Sequence, residues 1–327
     1  MIVAVDAAGG DYYPKNPVEG ALQAVEENSE LTVLLFGPED QVNKELANHD
    51  YDTQRVLVHD APQVIGMEES PAQAVKTKQQ SSIVVGVGLH KAGKCDAFVS
   101  AGNTGALLAA SMFGLGKLKG VLRPTIASYF PTIKGFRLLV DAGANLEIKP
   151  EAAVQFAKMG QIYCQQILKI DNPKVGLLNV GEEEGKGTDL LKEIHAELKN
   201  HDNFVGNVEG KDILPGKADV FLCDGLVGNI VLKFGESIPE IVQQMIGGAV
   251  KEMGLSKEEV GQIQKVLHTA LSSFNYENVG GIPFLGVNGV SIVGHGGSSP
   301  LAIKNMIKSA VQTVENDVNG KIVASLN

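Results

Sequence analysis

Short apolar runs alternate with longer stretches of helical spacing along nearly the whole chain. Ile2–Val5, Leu31–Phe36, Arg55–His59, Ala97–Ser100, Phe136–Asp141, Lys174–Asn179 and Val220–Cys223 are bounded by polar residues or glycine, as buried strands are. Between them, Pro17–Glu27, Thr104–Leu115, Pro150–Leu168, Thr188–Lys199 and Pro300–Val318 carry apolar residues at helical intervals. This order predicts a mainly parallel sheet with helices on both faces. No repeat, low-complexity tract or linker divides the chain, so a single α/β domain over residues 1–327 is expected.

Glu236–Tyr276 breaks the alternation with two helical patterns and no strand between them. Ile238, Ile241, Val242, Met245, Ile246, Ala249, Val250 and Met253 form one stripe, and Gly254-Leu255-Ser256 interrupts it. Ser256 with Glu259 resembles a capping box for the second helix. A protruding helical hairpin is expected, packed on the body or on a second subunit. A Met- and Ile-rich stripe also suits a membrane surface or an acyl chain.

Composition narrows the classes. With 44% apolar and 20% charged residues the chain can build a core. Its formal charge of −10 argues against nucleic acid as a partner. The first residues lack the charged region and cleavage pattern of a signal peptide, and no apolar run reaches the ~18 residues of a membrane span. Cys95, Cys164 and Cys223 are isolated, which suits a reducing cytoplasm, and neither they nor the seven histidines show metal-ligand spacing. No metal is expected. The 38 glycines are in excess, and glycine in α/β chains gathers where backbone must turn tightly or approach a ligand.

Five predicted strands end in such turns: Asp6–Asp11, Ala101–Gly105, Asp141–Asn145, Asn179–Gly187 and Asp224–Asn229. Ligands of open α/β sheets bind at the carboxyl ends of strands, so five polar Gly turns predict one shared cleft. Known nucleotide motifs do not fit. The 181–187 stretch GEEEGKG is one residue short of a P-loop, ends in Gly, and carries three glutamates that would repel a triphosphate. Both the dinucleotide fingerprint and the Gly-x-Ser-x-Gly elbow are absent. Cys223, at the end of an apolar strand, reads as a small buried hydrophobe rather than a nucleophile.

A smaller anion fits better. Asn103 or Thr104 can cap a helix whose free first-turn amides suit a phosphate or a developing oxyanion. Lys186, between Gly185 and Gly187, can add a point charge, or be a solvated loop lysine. In Gly294-His295-Gly296-Gly297-Ser298-Ser299-Pro300, Ser298 or Ser299 can cap the next helix. His295 can donate to a ligand or protonate a leaving group, or be a turn histidine satisfied by backbone.

These residues match a family. DAAGGD (6–11), SAGNTGALLA (100–109), DAGAN (141–145), GLLNVGEEEGKG (176–187), GNVEGKDIL (206–214), DGLVGNIVLK (224–233) and GHGGSS (294–299) resemble the PlsX family of phosphate acyltransferases, nearly end to end. One departure is Ala8, where the family usually has Met, a change expected to affect packing more than chemistry. The resemblance implies transfer of a fatty acyl group from acyl carrier protein to inorganic phosphate for phospholipid synthesis, with no cofactor. It implies a three-layer α/β/α sandwich like isocitrate and isopropylmalate dehydrogenases and phosphotransacetylase, usually dimeric. A cytoplasmic enzyme is expected, in peripheral contact with the inner face of the membrane and handing its product to a membrane glycerol-phosphate acyltransferase.

Phosphate dianion is already nucleophilic at neutral pH, so the site must hold it against the thioester and stabilise the oxyanion. Lys186, the amides around Gly102–Gly105, Gly228-Asn229, Ser298 and His295 are the expected groups. Carboxylates repel phosphate, so Asp6, Asp11, Asp141 and Asp224, with Asn145, are expected to support lysine, asparagine or backbone from behind. Competing readings are an NAD-dependent decarboxylating dehydrogenase, which the three arginines disfavour, and a non-catalytic lipid or carrier-protein scaffold. From Ala97 to Val140 there is no acid but five cations: Lys117, Lys119, Arg123, Lys134 and Arg137. Lys117, Lys119 and Arg123 are therefore expected to dock acidic acyl carrier protein beside the Gly102–Gly105 turn.

Overall fold

A computed structural model describes residues 1–271, 274, 277 and 279–326. Its strands are β1 (Ile2–Asp6), β2 (Thr32–Gly37), β3 (Val56–Asp60), β4 (Ala97–Ser100), β5 (Thr125–Thr132), β6 (Gly135–Val140), β7 (Val175–Leu178), β8 (Phe204–Val208), β9 (Val220–Leu222), β10 (Ile282–Leu285) and β11 (Val290–Val293). The helices are α1 (Lys15–Glu27), α2 (Glu39–Leu46), α3 (Pro71–Thr77), α4 (Ser82–Lys91), α5 (Thr104–Gly114), α6 (Pro150–Gln166), α7 (Asp189–Leu198), α8 (Gly225–Glu252), α9 (Lys257–Leu271), α10 (Pro300–Glu315) and α11 (Val318–Leu326).

All eleven strands form one sheet in the order β3-β2-β1-β4-β11-β10-β5-β6-β9-β7-β8. The first five are mutually parallel, as are the last four. Between them β10 runs antiparallel to both β11 and β5, and β5 antiparallel to β6. Three reversals leave the two parallel halves pointing in opposite directions. The sheet is thus mainly parallel, as the alternation predicts, with an antiparallel seam that the apolar pattern does not show.

Side-chain alternation builds the layers. Val3 and Val5 face a core shared with α1 and α10, while Ala4 between them faces α4 and α5. In the other half Leu138 and Val140 face α6, α7 and α11, and Leu139 faces α8. Leu232 of α8 also packs with the α4–α5 core, so these helices share one face of the sheet.

The two helices expected from Glu236 are α8 and α9, but α8 begins eleven residues earlier, where Asp224 accepts the Val227 N–H at 2.8 Å as N-cap. A strong cap on a glycine-rich turn starts the helix directly at the strand end. Part of the stretch up to Tyr276 lies outside the described residues. Within α8 only Gly225, Gly228 and Gly235 are buried, and nothing in α9 is. Leu226, Ile230, Phe234, Ile241 and Met245 form an exposed apolar stripe along α8. No helix among the described residues is long and apolar enough to cross a membrane.

Candidate active site

Three turns meet where the first parallel half ends. Asp6 is buried at the end of β1, where it accepts the Ser100 hydroxyl at 2.6 Å and the Ala8 N–H at 3.1 Å. Burial raises its pKa, against the opposing hydrogen bonds from Ser100, Ser82 and Ala8. Ser100 in turn accepts the Gly102 N–H at 2.9 Å, so that amide is committed within the turn. Asn103 is the cap of α5, accepting the Ala106 N–H at 3.0 Å. Its amide group donates to the carbonyls of Gly66, Met67 and Glu69, so the side chain ties a loop down instead of facing outward. The first helical bond runs from Leu107 N to Asn103 O, which leaves the Thr104 and Gly105 amides without a helical partner.

The Asp11 N–H donates to Gly296 O at 2.8 Å and joins this group to the turn after β11. There Ser299, not Ser298, caps α10, accepting the Ala302 N–H at 3.3 Å. Ser298 is buried and donates its hydroxyl to His295 O at 2.6 Å. Gly297 N–H donates to His295 Nδ1 at 3.1 Å. A backbone N–H can only donate, so Nδ1 is the acceptor and the neutral ring carries its proton on Nε2.

A second group forms where β6 and β9 end. Asp141 is fully buried and accepts the N–H groups of Ile126, Gly143, Ala144 and Asn145, together with the Asn145 side-chain amide. Burial raises its pKa against these bonds. Asn145 also donates to Pro124 O at 2.9 Å, and its backbone oxygen receives the Gly225 N–H at 2.7 Å. Three of the expected supporting groups, Asp6, Asp141 and Asp224, thus hold turns through backbone. Cys223 is buried with its thiol pKa pushed well up by burial, as a small core residue.

A cavity of about 650 Å³ connects the two groups. Thr104, Asn229, His295, Ser298 and Asp11 line it, with Gly143. Asp11 therefore stands on the cavity wall and not behind it. Met67, Ile126, Phe130, Leu232, Ile282 and Met306 supply much of the apolar lining. Size and lining are those of a small-molecule site.

The turn after β7 is not part of the wall. Asn179 and Asn207 pin it through Lys186 O at 3.2 Å and Glu183 O at 2.8 Å, and Lys186 Nζ stands 3.9 Å from Glu183 with both side chains largely exposed. It does leave the sheet at the same edge as the turns after β6 and β9, because these strands are parallel. Lys117, Lys119 and Arg123 are exposed but lie beyond the far end of α5, roughly 15 Å along the helix from Gly102–Gly105. Arg123 instead faces the second group of turns, 3.5 Å from Asn145. Arg137 is taken by Asp219 at 2.6 Å, and Lys134 donates to Gly216 O at 2.8 Å. Among the described residues Glu19, Glu45 and His49 come close enough together to hold an ion, away from the cavity.

A family described as fatty acid synthesis protein matches residues 1–321. The chain belongs to that family. Its similar relatives include the phosphate acyltransferase of Chlorobaculum tepidum, 50% identical over 97% of this chain and 99% of that protein. That of Chlorobaculum parvum is 48% identical over 100% and 99%. A phosphotransacetylase from Streptococcus pyogenes aligns with a TM-score of 0.63 at 15% identity, over 96% of this chain and 94% of that one. A branched-chain phosphotransacylase from Enterococcus faecalis gives 0.55 at 16%, over 95% and 99%. These structures share the fold, as the resemblance to phosphotransacetylase implies. The motifs that carry the family likeness supply the turns on both sides of the cavity.

One cation on the wall escaped the sequence reading. Lys233 lines the cavity, 2.8 Å from Glu236. It lies one helical period after Asn229, in the motif that ends at 233. A helix started at Asp224 would have shown it.

Proposed function

We propose that this chain transfers a fatty acyl group from the thioester of acyl carrier protein to inorganic phosphate. The observation that carries this reading is one cavity that joins anion-binding groups to an apolar wall. The free amides of Thr104 and Gly105, at the N-terminus of α5, suit phosphate or the oxyanion. Asn229 extends from the opposite group of turns toward the same space. A phosphate oxygen attacks the thioester carbon, the tetrahedral oxyanion collapses, and the carbon–sulfur bond breaks. The proton that the attacking hydrogen phosphate gives up passes through solvent to the departing carrier thiolate, and His295 on the cavity wall can donate a hydrogen bond to the leaving sulfur. Lys186 lies in the turn that leaves the sheet at the same edge as the Asn229 turn, and in this reading its exposed ammonium draws phosphate toward the site.

The acid-free stretch that carries Lys117, Lys119 and Arg123 fits an acidic carrier. The exposed stripe of α8 fits a second copy of the chain, because continuous apolar exposure of this kind marks an interaction surface.

The reaction is tested by phosphate-dependent release of carrier thiol. Wild-type protein should form acyl phosphate, and Asn229→Ala and Lys186→Ala should stay folded while losing on the order of 10²-fold in turnover. Near-normal turnover of Asn229→Ala would remove the cavity from the chemistry, and of Lys186→Ala would remove that lysine.

A further inference from the structure

The cavity reaches both faces of the sheet. Phe130 of β5 belongs to the α8 side, whereas Tyr129 packs edge-on against Tyr163 of α6, with hydroxyls 2.7 Å apart. The Tyr163 hydroxyl lies 3.4 Å from Ser309 of α10, so α6 and α10 share that second face. Phe130 and Tyr129 both line the cavity, as do Ala302 and Met306 of α10. A space touching both faces must pass an edge of the sheet, and β5 provides one. Phe284 and Leu285 pair with Ile126 and Thr125, so the register places Ile282, the first residue of β10, opposite Ser128. From Tyr129 onward β5 has β6 on one side and, among the described residues, no strand on the other.

Polarity changes along this path. Thr104, Asn229 and Lys233 stand on the α5–α8 face. Tyr129, Ala302 and Met306 bring no charge from the α6–α10 face, and Phe136 stands beside Tyr129 with ring centroids 6.1 Å apart. Met306 is 1% exposed and cannot retreat. A Cβ on Gly294 would lie 2.5 Å from its Sδ and one on Gly281 2.7 Å from its Cγ, so the side chain is seated on bare backbone.

We propose that this branch is the binding site of the acyl chain. The carbonyl stays at the polar mouth, the alkyl tail rounds the free edge of β5, and its methyl end stops against Met306. The inference rests on the acyl-transfer reading above. Seated firmly on the apolar wall, Met306 and Ala302 become length-setting residues in this reading, because each CH₂ that finds room is worth roughly fourfold and one that does not is rejected.

Wild-type protein, Met306→Ala and Ala302→Leu are assayed with a series of acyl carrier protein thioesters of increasing chain length. Met306→Ala removes three heavy atoms and should move the optimum about two carbons longer, raising the long-to-short ratio of kcat/KM on the order of tenfold. Ala302→Leu should move it shorter, and decides the matter alone if Met306→Ala does not fold. An active wild-type enzyme whose folded variants keep its chain-length profile overturns the acyl site and leaves the reaction standing. A wild-type protein that releases no thiol with any donor overturns both.

Discussion

Gly228 gives a sharp test of how the two groups of turns are held. It lies in the first turn of α8, beside Asn229, and faces the turn after β6. A methyl group there would be driven into the backbone oxygen of Asp141, 2.9 Å from that residue's carbonyl carbon and 3.1 Å from the Cys223 sulfur. Both are core atoms held by their own hydrogen bonds, so neither can swing aside. Real Cβ atoms essentially never approach within 3.0 Å, and relief requires the start of α8 to retreat by roughly 1 Å. Overpacking of this kind costs about 1–3 kcal/mol, offset by the ~1 kcal/mol that alanine gains over glycine in a helix. Gly228→Ala should therefore lower Tm modestly, by about 2–4 °C for each kcal/mol of net loss. Activity should fall further, about 10²-fold, because Asn229 moves with the helix. Gly247→Ala, on the same helix but with nothing within 4 Å of the added methyl, isolates the propensity effect and should raise Tm slightly. Differential scanning calorimetry and thiol release read the two quantities. If Gly228→Ala matches Gly247→Ala in both, the close approach to Asp141 does not position Asn229.

If a second copy covers α8, Ile230→Glu, at a residue 61% exposed, should halve the mass seen by light scattering without lowering helix content; an unchanged mass rejects that interface. Burial holds the Asp6 carboxyl above its ordinary range, so the folded chain keeps this proton to higher pH than the unfolded one. The stabilisation from that bias is full below the ordinary carboxyl range and is lost as pH rises through the folded value. The urea midpoint of Asp6→Asn relative to wild type should thus be most favourable near pH 7 and fall back toward about pH 4. A difference constant across that range would refute the ionisation cost.

What the sequence shows well is the strand with a full apolar run and the helix with a full period. Ile2–Val5 and Val220–Cys223 match β1 and β9 to within a residue, because each is buried on both faces and needs no partner to be recognised. β10 contains Pro283 and β11 has Ser291 within it, so neither reads as a continuous apolar run. β5 is interrupted by Pro131, and its pairing is decided by strands distant in the sequence. Missing this seam had a consequence for the site. A uniformly parallel sheet puts every turn on one edge, and five turns then seem to share one cleft. The reversal instead makes two groups, and the Lys186 turn leaves the sheet with the second of them without lining the cavity. Asn103 shows a different limit: its type and position mark a helix cap, but only the fold reveals that three carbonyls already use its amide.

The seam also explains why a cavity exists at all. The register that puts Ile282 opposite Ser128 would, if pairing continued, put Gly281, Gly280 and Val279 opposite Tyr129, Phe130 and Pro131. Both strands contain a feature that stops it. Gly281 turns the chain with φ +74, outside the extended region. Pro131 has no N–H to give a ladder. Pairing therefore fails from both sides over the same few residues, and Val279, Gly281, Tyr129, Phe130 and Pro131 all line the resulting opening. A longer β10 would zip this edge shut and leave each half with a separate set of turns. The link between the polar turns and the apolar branch is thus encoded locally, by a proline and a glycine on facing segments. It is the shortness of β10, not any length of helix or loop, that opens this space.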